Sequence, residues 1–303
     1  MLREAENVVK IEGILSETDL KYGSYVKNGK TVETIGGMIK LKVAQQINGE
    51  ETVLEIPVHM FSNKYKNDGS PNPAYESIDR IKNDYVSIAA AGSEDGADRL
   101  RITSGKIQMN EYYGRDNNLI SFPRITASFV SKVKKEEFKP QATFSTEFYV
   151  GGMDNEMNRD GIETGRYLIK GVIPQYGGRV DVVNFVAVSP NVINAVSSYW
   201  NIGDTVKANG RLNFSSTTEV VMKEVDFGEP VEQTRTINVS ELIITGGSQT
   251  PMEGDFAYDN DDIKTALAER KERLSAQKEK DANKAKNKTQ AAPARPTAQD
   301  LGF

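Results

Sequence analysis

Alternating apolar and polar positions are clearest in residues 166–214, and they predict short strands. Apolar side chains are frequent in residues 167–173, and a second run, residues 180–188, is rich in valine. β-Branched and aromatic residues at this spacing favour strands. Gly177 and Gly178, between the two runs, supply the positive φ that a tight hairpin turn needs. The pattern therefore predicts an antiparallel pair of strands.

A short helix and a third strand follow this pair. Pro190 opens the helix, and Val192 and Val196 recur at helical spacing. Trp200 comes at its end, where we expect the ring to plug a barrel rather than to stack on a base. Residues 205–212 return as a strand with a glycine in the middle, which indicates a sharp bend or a close backbone approach. A helix between the third and fourth strands of a small barrel is the plan of the OB fold.

The preceding half of the chain shows the same order of elements. Residues 16–34 are predicted to be a long loop with a hairpin-type turn at Asn28-Gly29. The other predicted elements are strands at 7–15, 35–43, 52–61, 85–91, 99–109 and 119–133, a helix at 76–83, and the late strands 219–225 and 234–245.

The predicted fold class is therefore all-β: two tandem OB-fold barrels, each with a short helix, followed by a helical and disordered tail. We expect a first OB-fold domain at 1–133, a charged linker at 134–142, a second OB-fold domain at 143–248 and the tail at 249–303. In the tail, the apolar positions of residues 263–288 are sparse, which predicts a solvated helix. Alanine and proline then predict disorder.

Composition excludes several kinds of chemistry. The 303-residue chain has no cysteine and one histidine, so thiolate nucleophiles, disulfides and multi-histidine metal sites are excluded. Three stretches resemble a phosphate-binding loop (22–31), a calcium loop (154–161) and a nuclease Glu-x-Lys triplet (137–139). Each fails in its spacing or lies outside a core strand. We therefore predict no catalytic residue, no metal site and no cofactor.

Charge and hydropathy narrow the choice of partner. The mean hydropathy is −0.52, and the first residues lack the apolar core of a signal peptide. We expect a cytoplasmic protein, in the host cytoplasm if a phage encodes it.

The distribution of charge bears on the kind of nucleic acid. Residues 1–140 contain 20 basic and 20 acidic residues, and residues 141–250 contain 8 basic and 13 acidic residues. A duplex binder usually shows more positive charge, whereas a single-strand binder needs only a local basic groove with aromatic side chains.

Aromatic and cationic residues alternate where an OB barrel binds its ligands. That region is the outer face of strands two and three. It is flanked by two loops, one between strands one and two and the other between strands four and five. Each stacked base contributes about 1–3 kcal/mol, and cations neutralise the phosphates. Tyrosines that pack at barrel ends and ordinary solvated lysines are the alternative. The candidates in the first barrel are Lys21, Tyr22, Tyr25, Lys27, Lys30, Lys40, Lys42, His59, Phe61, Lys64, Tyr65, Lys66, Tyr112, Tyr113 and Arg115.

The second predicted barrel has fewer candidate cations. They are Arg166, Lys170, Arg179 and Arg211. Because residues 141–250 are net acidic, we expect this barrel to add little affinity for DNA and to serve dimerisation or partner binding. The sequence leaves the oligomeric state open, including a homo-oligomer.

The end of the chain is similar to that of bacterial single-stranded DNA-binding proteins. In that family a disordered tail ends in acidic residues followed by an aliphatic residue, proline and phenylalanine, and the tip binds enzymes of replication and repair. Asp300, Leu301 and Phe303 match the acid, the aliphatic residue and the phenylalanine, and Gly302 stands in place of the proline. The resemblance implies that these three residues bind partner proteins.

The body of the chain resembles tandem-OB single-strand binders encoded by phages of Gram-positive bacteria. The stretches that carry this resemblance are residues 165–171, 176–181 and 203–206. It implies a non-enzymatic protein that coats and protects single-stranded DNA in replication or recombination and recruits partners. A tandem-OB scaffold that binds only protein is the alternative, and a metal-dependent nuclease is the third hypothesis.

Overall fold

Eleven strands and four helices form the framework of residues 2–47, 50–114, 116–223 and 231–290, the parts of the chain that the computed structural model describes. The strands are β1 (Asn7–Lys27), β2 (Lys30–Ile47), β3 (Glu50–Asn63), β4 (Arg99–Tyr113), β5 (Leu119–Thr126), β6 (Ser131–Lys132), β7 (Gln141–Met157), β8 (Glu163–Pro174), β9 (Val180–Ala187), β10 (Thr205–Lys223) and β11 (Val231–Gly247). The helices are α1 (Pro73–Asp84), α2 (Ile88–Ala91), α3 (Pro190–Tyr199) and α4 (Asn260–Gln290). None of these helices is both long and apolar enough to cross a membrane.

The strand order closes two barrels of the same topology. In the first, β1, β2, β3, β5 and β4 are neighbours in that order, and β4 returns to pair with β1. In the second, β7, β8, β9, β11 and β10 repeat the order, and β10 returns to β7. The third and fifth strands run parallel in each barrel, and the other pairs that close the barrels are antiparallel. With α1 and α3 each between a third and a fourth strand, both barrels have the OB fold, so the predicted fold class is confirmed.

Strand β1 joins the two barrels. Its residues 7–12 pair with residues 141–146 of β7, and from Ile14 onward it pairs with β2 instead. The carboxylate of Glu12, only 1% exposed, accepts hydrogen bonds from Arg101 Nε and the Lys139 backbone N–H, both at 2.6 Å. The buried carboxylate therefore ties the first barrel to the segment that leads into the second.

Two aromatic positions and one glycine explain how the second barrel closes. The Trp200 ring is buried edge-on against Phe148, and its Nε1 donates to the Ser248 carbonyl at 2.8 Å. This confirms that the tryptophan plugs the barrel. At Gly210 a β-carbon would lie 2.2 Å from the Ile243 carbonyl oxygen and 2.3 Å from Phe144 Cζ. The glycine predicted to mark a close approach therefore does so.

The predicted loop at residues 16–34 is wrong, because β1 and β2 continue through it as a hairpin arm. The turn at Asn28-Gly29 is confirmed, with φ of 51° and 74°. The hydrophobic pattern did not predict the arm, because the side chains of residues 21–31 are exposed on both faces of the arm. No alternation of apolar and polar residues therefore marks these strands. Residues 205–212 and 219–223, predicted to belong to two strands, likewise lie along one strand, β10. Residues 224 and 225 of the second predicted strand lie outside the described residues.

The predicted strand at residues 85–91 is also wrong, since the chain forms α2 there. Ser87 caps the helix, with its hydroxyl accepting from the Ala90 backbone N–H, and Gly92 ends it at a φ of 72°. The predicted final strand at 119–133 is divided into β5 and β6. Residues 127–130 leave the pairing of β5 with β4 and run beside β3, where the Ala127 N–H donates to the His59 carbonyl.

Helix α4 packs on the barrels and is not the solvated helix that the sequence predicts. Ile263, Ala266 and Leu274 are buried. Arg270 forms an ion pair with Glu111 of β4, and both side chains are largely buried. The sparse apolar positions suffice because they fall on the one side of the helix that faces the barrels. Residues 291–303, predicted to be disordered, lie outside the described residues.

We expect Gly210→Ala to lower the free energy of unfolding, because the added methyl group overlaps the Ile243 carbonyl and the Phe144 ring. Overpacking of this kind costs about 1–3 kcal/mol, which urea denaturation followed by circular dichroism would measure. Gly246→Ala is the control, because a β-carbon there meets nothing within 4 Å. Equal stability of the two variants would contradict the proposed close approach.

Candidate nucleic-acid interface

A groove of about 810 Å³ lies on the outer surface of the first barrel across β3, β5 and β4. We call it the phenylalanine groove, because two exposed phenylalanines, Phe61 and Phe129, border it. None of the described residues that line it is acidic. Its lining residues are Gly37, His59, Met60, Phe61, Ser104, Lys106, Gln108, Arg124, Thr126, Ala127, Ser128 and Phe129.

Strand alternation places the polar side chains of this groove. In β3, Val58 and Met60 point into the barrel, so His59 and Phe61 point outward. In β5, Ile125 is buried, and its neighbour Arg124 faces out. The register pairs Arg124 with Gln108, and Thr126 with both Lys106 and His59. The three strands therefore bring one histidine and two cations onto a single surface.

One glycine of β2 lets the Phe61 ring lie on that strand, and the next brings β2 close to the β1 backbone. A β-carbon on Gly36 would lie 2.9 Å from Phe61 Cδ2, so the ring rests on the β2 backbone. Gly37 has a φ of 143°, and a β-carbon there would lie 2.0 Å from the Asp19 carbonyl oxygen. The rings of Phe61 and Phe129 remain 63% and 52% exposed. The groove thus presents two aromatic rings to solvent.

Arg124 is the central cation of the groove. Its Nη2 is 3.5 Å from Gln108 Oε1, its buried Nε has no hydrogen-bond partner, and it forms no ion pair among the described residues. Lys106, by contrast, pairs with Glu4 at 2.5 Å. Burial, together with the positive charge of Arg124, lowers the pKa of His59 from its ordinary value. At neutral pH the groove therefore combines a neutral imidazole with an arginine whose charge is not balanced by a carboxylate.

The predicted tyrosines of the hairpin arm are engaged by the first barrel. The Tyr22 hydroxyl donates to Asp79 at 2.6 Å and accepts from Asn83 at 3.0 Å, and the Lys82 ammonium lies 5.4 Å from the ring centre. The Tyr25 hydroxyl is 3.5 Å from Asn63 Oδ1. Both rings keep exposed surface, and these contacts link the arm to α1 and β3.

Carboxylates neutralise several of the predicted lysines. Lys27 and Lys30 at the tip of the arm, and Lys66 after β3, are exposed and form no ion pair among the described residues. The free positive charge of this surface therefore lies at the arm tip and beyond β3. The paired lysines are Lys21 with Asp19 (2.9 Å), Lys40 with Glu17 (2.5 Å), Lys42 with Glu94 (2.7 Å) and Lys64 with Glu33 (2.8 Å).

The other predicted residues of the first barrel lie in separate places. Tyr65 is exposed next to the Lys64 ammonium, which is 5.8 Å from its ring centre. Tyr112 packs edge-on against Phe122, and the ammonium of Lys278, from α4, lies 5.4 Å from the Tyr113 ring centre. Arg115 and the tail residues Asp300, Leu301 and Phe303 lie outside the described residues.

The predicted cations of the second barrel are also dispersed. Arg166 pairs with Glu156 and Glu241. Lys170 is exposed in a cleft of about 1140 Å³ between the barrels, which Lys40 also lines. Arg211 is half-buried with an unbonded Nε, and this burial lowers its pKa. Arg179 is exposed in a smaller pocket near the first barrel.

The sequence interpretation missed Phe129, Arg124 and Lys106, which complete the groove. Arg124 and Lys106 each alternate with a buried isoleucine, Ile125 and Ile107, so the period of two could have identified them. Phe129 has no comparable local signal, because its position follows from the course of residues 127–130 beside β3.

Comparisons with known proteins give one family match and similar solved structures. A family model described as YorF matches residues 5–280. No curated protein matches the sequence. The wild-type single-stranded DNA-binding protein from Thermus aquaticus superposes with a TM-score of 0.48 at 10% identity, covering 86% of this chain and 99% of that chain. A deletion mutant of the same Thermus protein gives a TM-score of 0.44 at 10% identity, covering 85% and 98%.

The single histidine allows a direct test of the groove. We expect its proton resonances in NMR to titrate with a pKa lower than that of an exposed histidine. Arg124→Gln should raise this pKa, because one of the two causes of the shift is removed. Arg159→Gln, on the exposed turn between β7 and β8, should leave the titration unchanged. A pKa that does not respond to Arg124→Gln would contradict the placement of the two side chains.

Proposed function

The chain belongs to the YorF family, and we propose that it is a non-enzymatic single-stranded DNA-binding protein that holds the strand in the phenylalanine groove. The observation that carries the proposal is the groove itself, where two exposed phenylalanines and an unpaired arginine meet without an acidic neighbour among the described lining residues. Aromatic faces bind unpaired bases, and cations bind the phosphates between them.

The arrangement favours a single strand over a duplex. The faces of bases in a duplex are stacked on each other, so Phe61 and Phe129 can stack only on bases that are free. The free cations of the surface are few and local, and the chain carries a net charge of −5. Binding by charge alone, as on duplex DNA, would therefore be weak, and stacking has to supply a large share of the affinity.

We place this activity in replication or recombination, where transient single strands are coated and protected. Lys27, Lys30 and Lys66 would extend the contact with phosphates beyond the groove. The C-terminal residues Asp300, Leu301 and Phe303 would recruit partner proteins. A tandem-OB scaffold without affinity for nucleic acid remains the competing function, and the binding experiment separates the two.

Fluorescence polarisation with labelled oligo(dT) and a duplex of matched length tests the proposal. We expect tight binding to oligo(dT) that weakens as salt is raised, and much weaker binding to the duplex. No binding to oligo(dT) at low salt would overturn the proposal in favour of the protein scaffold. Cleavage of the oligonucleotide in the presence of magnesium would favour the nuclease instead.

Phe61→Ala and Phe129→Ala should each weaken oligo(dT) binding, because each removes a ring on which a base stacks. A loss of about 1–3 kcal/mol corresponds to about 5–150-fold in Kd. Phe256→Ala is the matched control, since Phe256 is equally exposed but lies in the turn at Gly254–Phe256 that precedes α4. If the control weakened binding as much as the groove variants, the groove would not be the binding site.

A further inference from the structure

We propose that the bound strand leaves the phenylalanine groove across Arg124 and enters a second cavity between the barrels, where Arg179 and Arg273 hold its phosphates. We call this cavity, of about 380 Å³, the arginine pocket. This inference rests on the proposed function, and it assigns the second barrel and α4 a direct share in DNA binding. Its lining residues are Glu4, Lys106, Gln108, Met109, Asn110, Glu111, Arg124, Gln175, Tyr176, Arg179, Asp181, Arg273, Leu274 and Gln277.

The arginine pocket adjoins the phenylalanine groove. Lys106, Gln108 and Arg124 line both cavities. These three side chains project from the paired strands β4 and β5, with Gln108 directly opposite Arg124. A polymer lying in the groove can therefore pass into the pocket along one face of the first barrel, with Arg124 between the two.

Three separate parts of the fold supply the arginines. Arg124 comes from β5 and Arg179 from the turn between β8 and β9, which a hydrogen bond from the Gln175 N–H to the Arg179 carbonyl closes at 2.7 Å. The Gln175 side chain donates to the Ile107 carbonyl at 3.3 Å, which ties this turn to the first barrel. Arg273 comes from α4. The pocket is thus built only where both barrels and the helix meet.

The position of α4 is fixed by contacts next to Arg273. Arg270 pairs with the Glu111 carboxylate, and Gln277 donates to the Glu111 backbone carbonyl at 3.1 Å. Leu274, between these two polar contacts, is buried. One helix turn on either side of Arg273 is therefore anchored to β4, which holds the guanidinium at the pocket.

The charges of the pocket leave a positive excess. Glu4 is paired with Lys106, and Glu111 with Arg270. The Asp181 carboxylate accepts from the Met109 N–H at 3.1 Å, and burial raises its pKa. Arg124, Arg179 and Arg273 form no ion pair among the described residues, so three guanidinium groups stand against one partly buried carboxylate.

The mouth of the pocket suits a nucleotide chain rather than an isolated anion. Tyr176, next to Arg179 in the same turn, is 85% exposed and offers a ring on which a base can stack. Guanidinium groups bind phosphate oxygens in a bidentate manner. The pocket thus repeats the combination of the groove, an aromatic ring beside cations, on the opposite side of Arg124.

An oligo(dT) length series tests the path with the full chain. Arg179→Ala, Arg273→Ala and the double variant are compared with Arg159→Ala, an exposed arginine on the turn between β7 and β8. For long oligonucleotides we expect the double variant to bind about 10-fold more weakly and its salt slope to fall by about 1.4, which is the value for two lost phosphate contacts on a single strand. For oligonucleotides short enough to fill only the phenylalanine groove, the affinity of the double variant should lie within about twofold of the wild-type affinity.

The conservative variants separate charge from structure. Arg179→Lys and Arg273→Lys keep the positive charge, so the salt dependence of binding should return to most of its wild-type slope. If the alanine variants weakened binding because α4 no longer docks, restoring the charge would not restore that slope. Circular dichroism and thermal unfolding confirm that each variant is folded. Two outcomes would overturn the path if the wild-type protein binds oligo(dT). The first is that the double variant has the same affinity as Arg159→Ala at every oligonucleotide length. The second is that it loses the same amount of affinity for short and for long oligonucleotides. If wild-type protein binds no oligonucleotide, the proposed function itself fails.

Discussion

The pairing of β1 with β7 is the constraint on which the rest of the structure depends. Because residues 7–12 pair with 141–146, the first strands of the two barrels lie side by side in one continuous sheet. Gly13 marks the point where β1 changes partner, and a β-carbon there would lie 2.8 Å from the Lys42 carbonyl oxygen. The buried carboxylate of Glu12 fixes the same crossing. Once this junction is set, the turn at Tyr176–Gly178 and helix α4 have defined positions against β4.

The groove and the pocket are consequences of that junction and of strand alternation. Alternation decides which side chains of β3, β4 and β5 reach the outer surface, and the junction decides what the second barrel brings up to it. Arg124 belongs to both cavities because it faces outward from β5 at the place where the barrels approach. The second barrel is net acidic over residues 141–250, yet its turn presents an arginine that has no ion pair within the described part of the chain. Local placement, not net charge, therefore decides where this surface carries unpaired positive charge.

Local patterns predicted the repeated order of strands, the hairpin turns, α3 and the close approach at Gly210, because each depends on residues near in sequence. They failed where both faces of a strand are exposed, as in the hairpin arm, and where a capped four-residue helix, α2, mimics an apolar strand. They also failed where tertiary contacts decide the outcome. The carboxylates that neutralise Lys40 and Lys64 lie on neighbouring strands, the docking of α4 depends on Glu111, and Phe129 reaches the groove only through the path of residues 127–130. His59 and Phe61 were among the candidates predicted from the sequence, and both face out of the first barrel, but their partners in the groove were not predicted.

The junction also imposes an order on events during synthesis. All strands of the first barrel precede residue 133, so this barrel can close while the second is still emerging from the ribosome. Until residues 141–146 arrive, the edge of β1 from Asn7 to Glu12 has no partner, and an unpaired edge is a template for association with another chain. Lys10, exposed in the middle of that edge, is the type of residue that opposes such association. Lys10, which forms no ion pair among the described residues, would thus protect an edge that is free only in the nascent chain.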